Sequence, residues 1–260
     1  MDIGVDMRKS IVVALVAGLV AALGSAGSSA VDPADAAPAP TTVGLVLNYR
    51  FDNDSGVVTR DSSPNAIHGR YVNTTAAAAR SPGVPGRSWA ITLMGAEQQY
   101  VSVPERNALD VDRFNVAALV RYTGVENDQT FGRWEVIEKA GAYWINVRTD
   151  GRVRVGGFFG GCTSAAWKYL DSNVVVPTNT WTHVASTYNG STLNVWVNGS
   201  RAGTMAVTGR TCRNNHPLAV GAKNHPAAGL LEAFWDGQLD DIRIYRLALS
   251  ADQIRGLLPG

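Results

Sequence analysis

The chain has 260 residues, 45% of them hydrophobic, 17% charged and 8% aromatic, a composition that excludes a disordered, collagen-like or coiled-coil polypeptide. Twenty-three Lys and Arg against 22 Asp and Glu leave a net charge of +1. No overall field therefore draws the protein to nucleic acid or to acidic membranes.

At the N-terminus, Arg8 and Lys9 precede an uncharged, mostly apolar run from Ile11 to Leu23 and then small residues through Ala30. This is the layout of a secretory signal over residues 1–30, with cleavage between 30 and 36. Asp2 and Asp6 are unusual in a leader, and Met7 makes a cleaner start. The alternative is an uncleaved anchor from Ile11 to Ala30, whose Gly/Ser/Ala-rich second half transfers poorly into lipid. Export to the extracellular space, with no membrane association after cleavage, is the expectation. Residues 31–42, VDPADAAPAPTT, read as a Pro/Ala-rich extended spacer, and 43–260 as the folded domain.

From Val43 onward apolar residues recur with period two, so each segment buries one face of a strand. Leu45, Leu47, Tyr49 and Phe51 alternate first, then Phe114, Val116, Ala118 and Val120, then Tyr143, Ile145 and Val147. Val153 and Val155 follow, and later Leu193, Val195 and Val197. Asp150-Gly151 and Asn189-Gly190 sit between such runs and predict hairpins. The tail, Ser250 to Leu258, is the one helical candidate, with Ser250 as its cap. About a dozen short strands over residues 43–260 predict an all-β protein, an antiparallel two-sheet sandwich or jelly roll.

The two cysteines, Cys162 and Cys212, most simply form one disulfide in an exported protein. A catalytic thiol needs an activating neighbour, and a metal pair needs companion ligands at close spacing.

WTHVASTYNGSTLNVWVNGSRAG, residues 181–203, resembles the signature hairpin of the laminin-G-like, concanavalin A-like jelly roll. VLNYRFDNDSG (46–56) is similar to that family's opening strand and RDSSPNAIHGRYV (60–72) to its Asp-Ser-Ser turn. FWDGQLDDIRIYRLALSADQI (234–254) is similar to its closing strand. The resemblance implies a structural calcium held by Asp52 and Asp240, with backbone oxygen from the turn at Ile67, His68 and Gly69. Asn53 stands where the family commonly has a second acid, and the competing reading has Asp52 and Asp240 capping turns. Alternation places Asp240 on the apolar strand face with Ile242 and Ile244, where a carboxylate needs hydrogen bonds, an ion pair or a hard cation.

Some glucanases share this sandwich and need paired carboxylates about 5 Å apart. Glu126-Asn127-Asp128 is the nearest match to their spacing, but Phe131 takes the final position. Glu135 and Glu138, three apart, are expected on opposite strand faces. No G-x-S-x-G, H-E-x-x-H or P-loop string occurs, so no enzyme is expected. His183 reads as packed in its strand, and the Asn-His-Pro triplets at 215–217 and 224–226 as turns at strand ends.

A secreted sandwich without a catalytic set reads as a recognition module for an extracellular glycan or cell-surface partner. Sugar binding needs aromatic faces and planar polar groups. Trp144, Asn146, Arg148, Arg152 and Arg154 face away from the core, as do Asn194 and Trp196. If their strands are neighbours in one sheet, these seven residues form a platform for a glycan. The competing reading has the same side chains covering one another, with Leu119 standing where the family often has tryptophan. An adhesion or envelope protein that binds another protein, and a glycoside hydrolase of the same fold, are the alternative functions.

Overall fold

The alternation becomes strand at each segment named above. In chain order the strands are β1 (Leu45–Tyr49), β2 (Val58–Thr59), β3 (Gly69–Val72), β4 (Arg80–Pro82), β5 (Trp89–Leu93), β6 (Tyr100–Val103), β7 (Phe114–Tyr122), β8 (Arg133–Lys139) and β9 (Tyr143–Arg148). They continue with β10 (Arg152–Phe158), β11 (Trp167–Val175), β12 (Thr182–Tyr188), β13 (Thr192–Val197), β14 (Ser200–Ala206), β15 (Leu218–Val220), β16 (Lys223–His225), β17 (Leu230–Glu232) and β18 (Gly237–Tyr245). Short helices α1 (Ala76–Ala79) and α2 (Ala251–Arg255) complete the set. The computed structural model describes residues 41–85, 88–126, 131–225 and 229–259. The leader, most of the spacer, Asn127, Asp128 and Pro226 lie outside the described residues.

One eight-stranded sheet runs β14-β13-β12-β7-β18-β5-β4, with β1 also paired to β18; the other runs β11-β10-β9-β8-β15-β6-β3-β2. All pairings within them are antiparallel, and β16 and β17 form a separate hairpin. The inward residues of both sheets make one core, including Leu47, Val116, Val184 and Ile244 from the first and Val101, Trp134, Ile145 and Val155 from the second. Burying a Val, Leu, Ile or Phe side chain in such a core contributes about 1.5–3 kcal/mol. The two expected hairpins are present, with Gly151 and Gly190 at positive φ where their turns require it.

The polar motifs of the opening segment have structural explanations. The Asp61 carboxylate accepts from the backbone N–H groups of Asn48, Ser63 and Ile67 and from the Ser63 hydroxyl, all within 2.7–2.8 Å. It therefore locks the turn to β1, and the Tyr49 hydroxyl closes the same turn by donating to the Ile67 carbonyl at 2.7 Å. At the other end, Ser250 caps α2 in a reciprocal capping box with Gln253.

β18 departs from simple alternation. Its pairing with β7 skips a register step between Asp240 and Arg243, and Asp241 takes φ 50. This bulge inserts one extra residue and reverses the faces beyond it. Leu239, Ile242 and Ile244 consequently all face the core, while Asp240 pairs with Leu119 on the other side. Asp240 is not on the face of Ile242 and Ile244, as alternation predicted.

Lys139 is wholly buried on the core side of β8, opposite Tyr143. Its ammonium donates to the carbonyls of Asn214 and His216 at 2.9 and 2.8 Å and to the Asn214 side chain at 3.3 Å. Asp110 lies 3.5 Å and Glu105 3.8 Å away. The first Asn-His-Pro triplet is thus part of the wrapping of a buried cation. His183 is buried in β12, as expected.

Cys162 and Cys212 form the disulfide, closing a separation of 50 residues and tying the segment after β10 to the segment after β14. Replacing both cysteines by serine is expected to lower stability by up to about 4 kcal/mol, the chain-entropy value for such a loop. Thermal melting of the two forms checks this; superimposable curves would mean that the link constrains nothing.

Candidate functional site

The outward side of the second sheet, across β8, β9, β10 and β11, carries a dense set of aromatic and charged groups. Cross-strand pairing arranges them in rows. Glu138, Trp144, Gly156 and Tyr169 form one row; Glu135, Asn146, Arg154 and Asp171 form the next; Phe158 and Trp167 pair at one end. Neighbours in a row stand roughly 5 Å apart at Cβ, close enough for direct contact.

The first row explains a glycine. A Cβ on Gly156 would lie 2.4 Å from the Trp144 ring, so the indole lies over the bare backbone of β10. Trp144 is buried to 7% exposure and stacks with Trp167, ring centroids 6.0 Å apart at 27°. Trp167 and Tyr169 are 44% and 42% exposed, with centroids 5.0 Å apart. Together they make an open aromatic ledge on the edge strand β11, with Trp144 as its support.

Charge frames the ledge. The Arg154 guanidinium lies 4.0 Å over the Tyr169 ring and holds both Asp171 oxygens, at 2.6 and 2.9 Å. Arg148 joins the same carboxylate at 3.3 Å. The Arg154 bond, with Coulomb attraction from the arginines, keeps the Asp171 carboxyl below its ordinary range. Arg152 is exposed beyond this cluster.

The β8 side of the surface is closed. A bulge at Val136 shifts the register between Glu135 and Ile137, which brings Glu135 and Glu138 onto one face instead of opposite faces. They are 1% and 5% exposed. The β16–β17 hairpin brings polar groups to them: the Asn224 N–H donates to Glu138 at 2.9 Å, and Glu232 ion-pairs with Arg133 at 2.9 Å and Lys223 at 3.0 Å. Burial, with the Glu138 charge next, holds the Glu135 carboxyl well above its usual range. The Asn146 amide donates to Glu135 Oε2 at 3.3 Å, while Glu135 Oε1 and Asn146 Oδ1 are both sealed without a donor. Burial likewise pushes Glu138 from 4.5 up to about 7.

Five of the seven residues expected on a shared platform lie on this surface: Trp144, Asn146, Arg148, Arg152 and Arg154. Asn194 and Trp196 do not join them, because β13 belongs to the other sheet. The C-terminal segment covers that sheet's outward side, where Trp196 packs with Tyr245, Leu249, Ile254 and Leu257. The exposed aromatics, Trp167 and Tyr169, were absent from the sequence expectation, although Trp167, Tyr169 and Asp171 repeat with period two.

The expected calcium ligands come together only in part. Asp52 accepts from the Trp89 N–H at 3.2 Å and pairs with Arg50 at 3.3 Å. Asp240 Oδ2 would lie 3.3 Å from a Cβ on Gly83, itself 3.4 Å from the Trp89 nitrogen, so the two carboxylates flank one loop. In the turn expected to supply backbone oxygen, the Ile67 carbonyl accepts from the Tyr49 hydroxyl at 2.7 Å, and the His68 side chain accepts through Nδ1 from the Asp61 N–H at 3.1 Å. Among the described residues no three His, Cys, Asp or Glu side chains gather as a metal site.

The raised Glu138 carboxyl makes stability depend on pH. An unfolded Glu138 ionises near 4.5 and the folded one near 7, so the fold binds the extra proton between them and loses stability as pH rises through that window. Glu138→Gln keeps an acceptor for Asn224 and removes the titration. Urea unfolding should give parallel behaviour below pH 4.5 and a variant more stable by on the order of 3 kcal/mol above pH 7. An unchanged pH profile would show that Glu138 titrates like a solvated acid.

The description Concanavalin A-like lectin/glucanases superfamily belongs to the family model that matches residues 95–255, more than half of the chain. No curated protein sequence matches the chain significantly. Among solved structures, domain 4 of AbnA, a GH43 extracellular arabinanase from Geobacillus stearothermophilus, in complex with arabinotriose, is 20% identical with a TM-score of 0.61. That match covers 82% of this chain and 97% of the domain. The binding domain of Paraclostridial Mosquitocidal Protein 1 is 17% identical with a TM-score of 0.62, covering 82% and 51%. The binding domain of Botulinum Neurotoxin DC in complex with SialylT is 12% identical with a TM-score of 0.58, covering 82% and 50%. The chain thus spans about half the length of the two toxin binding domains, and at these identities the likeness is one of fold. With two antiparallel sheets packed face to face and the family model matched across both, the chain belongs to the concanavalin A-like lectin/glucanases superfamily.

Proposed function

We propose that this protein is a non-catalytic carbohydrate-binding module that acts outside the cell, with Trp167 and Tyr169 as its sugar-stacking surface. The observation that carries the reading is the ledge: two large aromatic rings left 44% and 42% exposed side by side, on a chain that buries most of its other tyrosines and tryptophans. Aromatic faces pack against the apolar faces of sugar rings, and the adjoining Arg154, Asp171 and Arg148 supply planar groups for hydroxyls. The similar arabinanase domain is solved with arabinotriose and a similar toxin domain with SialylT, which supports a glycan as the ligand class here. The leader pattern and the disulfide support an oxidising, extracellular setting. Among the described residues no helix is long and apolar enough to cross a membrane.

The acid pair Glu135 and Glu138 is assigned to structure. Side chains 1% and 5% exposed, with Asn224 and Glu232 of the β16–β17 hairpin against them, offer no face to a glycosidic bond.

Trp167→Ala with Tyr169→Ala is expected to weaken oligosaccharide binding at least about tenfold, near 1.4 kcal/mol, without lowering the melting temperature. Glycan-array screening followed by calorimetry measures this, and wild-type affinity in the double variant would remove the ledge from the binding surface. A structural calcium at Asp52 and Asp240 is proposed separately, supported by the approach of both carboxylates to the segment between Gly83 and Trp89. It is expected to raise the melting midpoint in calcium over chelator; coincident midpoints would leave the two aspartates as turn caps.

A further inference from the structure

A second surface gathers the loop Asn107–Arg113, the turn at Gly190, the segment Gly209–Arg213 and Arg246 around an open groove of about 650 Å3. None of its lining residues belongs to the aromatic ledge, and among the described residues no aromatic side chain lines it. Its character is cationic. Four arginines, at 113, 210, 213 and 246, face two aspartates in a protein whose overall charge is only +1.

The two aspartates are already engaged. Asp110 belongs to the buried Lys139, 3.5 Å away. Asp112 is paired with Arg213 at 2.9 Å and Arg210 at 3.9 Å. The guanidinium groups of Arg113 and Arg246 have no hydrogen-bonded or ion-pair partner among the described residues, and Arg113 lies along the bare backbone of Gly190, 3.4 Å from where a Cβ would stand. Two guanidinium groups are therefore left unneutralised around one groove.

The walls are fixed in place. The Cys162–Cys212 disulfide holds the segment that carries Arg210 and Arg213. The Gly160 N–H donates to the Arg210 carbonyl at 2.8 Å, the Tyr188 hydroxyl donates to the Gly209 carbonyl at 2.5 Å, and the Thr211 hydroxyl donates to the Val111 carbonyl. The facing wall is held through Asp110 by Lys139. Arginines on backbone that is already ordered lose less on binding than arginines on a mobile loop.

We infer that this groove binds the anionic groups of an acidic polysaccharide, with Arg113 and Arg246 taking its carboxylate or sulfate oxygens. Guanidinium forks match both kinds of oxyanion in a two-pronged geometry. A groove without aromatic lining discriminates by charge, so it separates acidic from neutral chains. The inference shares the glycan ligand with the proposed ledge but uses different residues, and the two fail separately.

The test compares the exported chain with its Arg113→Gln, Arg246→Gln double variant, using calorimetry on three probes of equal length: a galacturonate oligomer, a sulfated oligosaccharide and a neutral oligosaccharide. At least one acidic probe is expected to bind at least tenfold more tightly than the neutral one, and the carboxylate and sulfate arms identify which oxyanion. That preference should disappear when salt rises from about 0.05 M to about 0.5 M, and in the double variant, with neutral binding unchanged. Both arginines are exposed, and a thermal melt confirms folding. Absence of acidic preference, or its survival in the double variant, overturns the inference, as does binding to anionic lipid vesicles without acidic-glycan preference. Loss of neutral binding on Trp167→Ala concerns the ledge alone.

Discussion

A strand shows its side chains to two sides in strict alternation, and a single inserted residue exchanges the sides for everything beyond it. In this sandwich one side of each sheet is committed to a shared core, so parity decides which residues are available to a ligand. Two bulges set that parity where it matters. The bulge in β8 turns Glu135 and Glu138 to the same outward face, and the bulge in β18 returns Ile242 and Ile244 to the core while leaving Asp240 outside it. Without the first, one carboxylate would point into the apolar interior, at a cost of several kcal/mol.

Much of the fold was legible because local chemistry and global pattern agree. Asp-Gly and Asn-Gly pairs fall between alternating runs, Asp61 saturates its own turn, and Ser250 finds Gln253 three residues on. Such signals act over a few residues. What was not legible depends on distant parts of the chain. The sheet that β13 joins is decided by its partners β12 and β14, so Trp196 and Asn194 could not be assigned to a surface from their own alternation. Trp196 then becomes part of a second small core only because the C-terminal segment folds over it. Bulges are equally silent: nothing in RWEVIEK marks Val136 as the extra residue.

The ledge is hidden in the sequence for a related reason. The β11 sequence, WKYLDSNVV, has polar residues between and after its aromatics, so it lacks the apolar alternation of a half-buried strand. As an edge strand it is exposed along much of its length, and its alternation is aromatic and acidic on the outward side. The signal was the match between Trp167, Tyr169 and Asp171 and the known outward set on β9 and β10. A glycine at 156 adds to it, since the indole of Trp144 needs a bare backbone beneath it.

Burial has been used differently at the two ends of the outward surface. At β8 it raises the affinity of both carboxyls for their protons and presses polar groups together beneath a hairpin, an arrangement that costs stability as pH rises. At β11 the charges stay partly solvated and paired, Arg154 with Asp171, so that pairing favours the charged form of each, and the guanidinium lies over the Tyr169 ring. β10 then connects this surface to the arginine groove: Phe158 pairs with Trp167, and the next residue, Phe159, bridges to Thr211 between Arg210 and Arg213. A disulfide at Cys162, just beyond that bridge, holds the junction rigid. The aromatic ledge and the segment that carries Arg210 and Arg213 are therefore joined through one stretch of backbone.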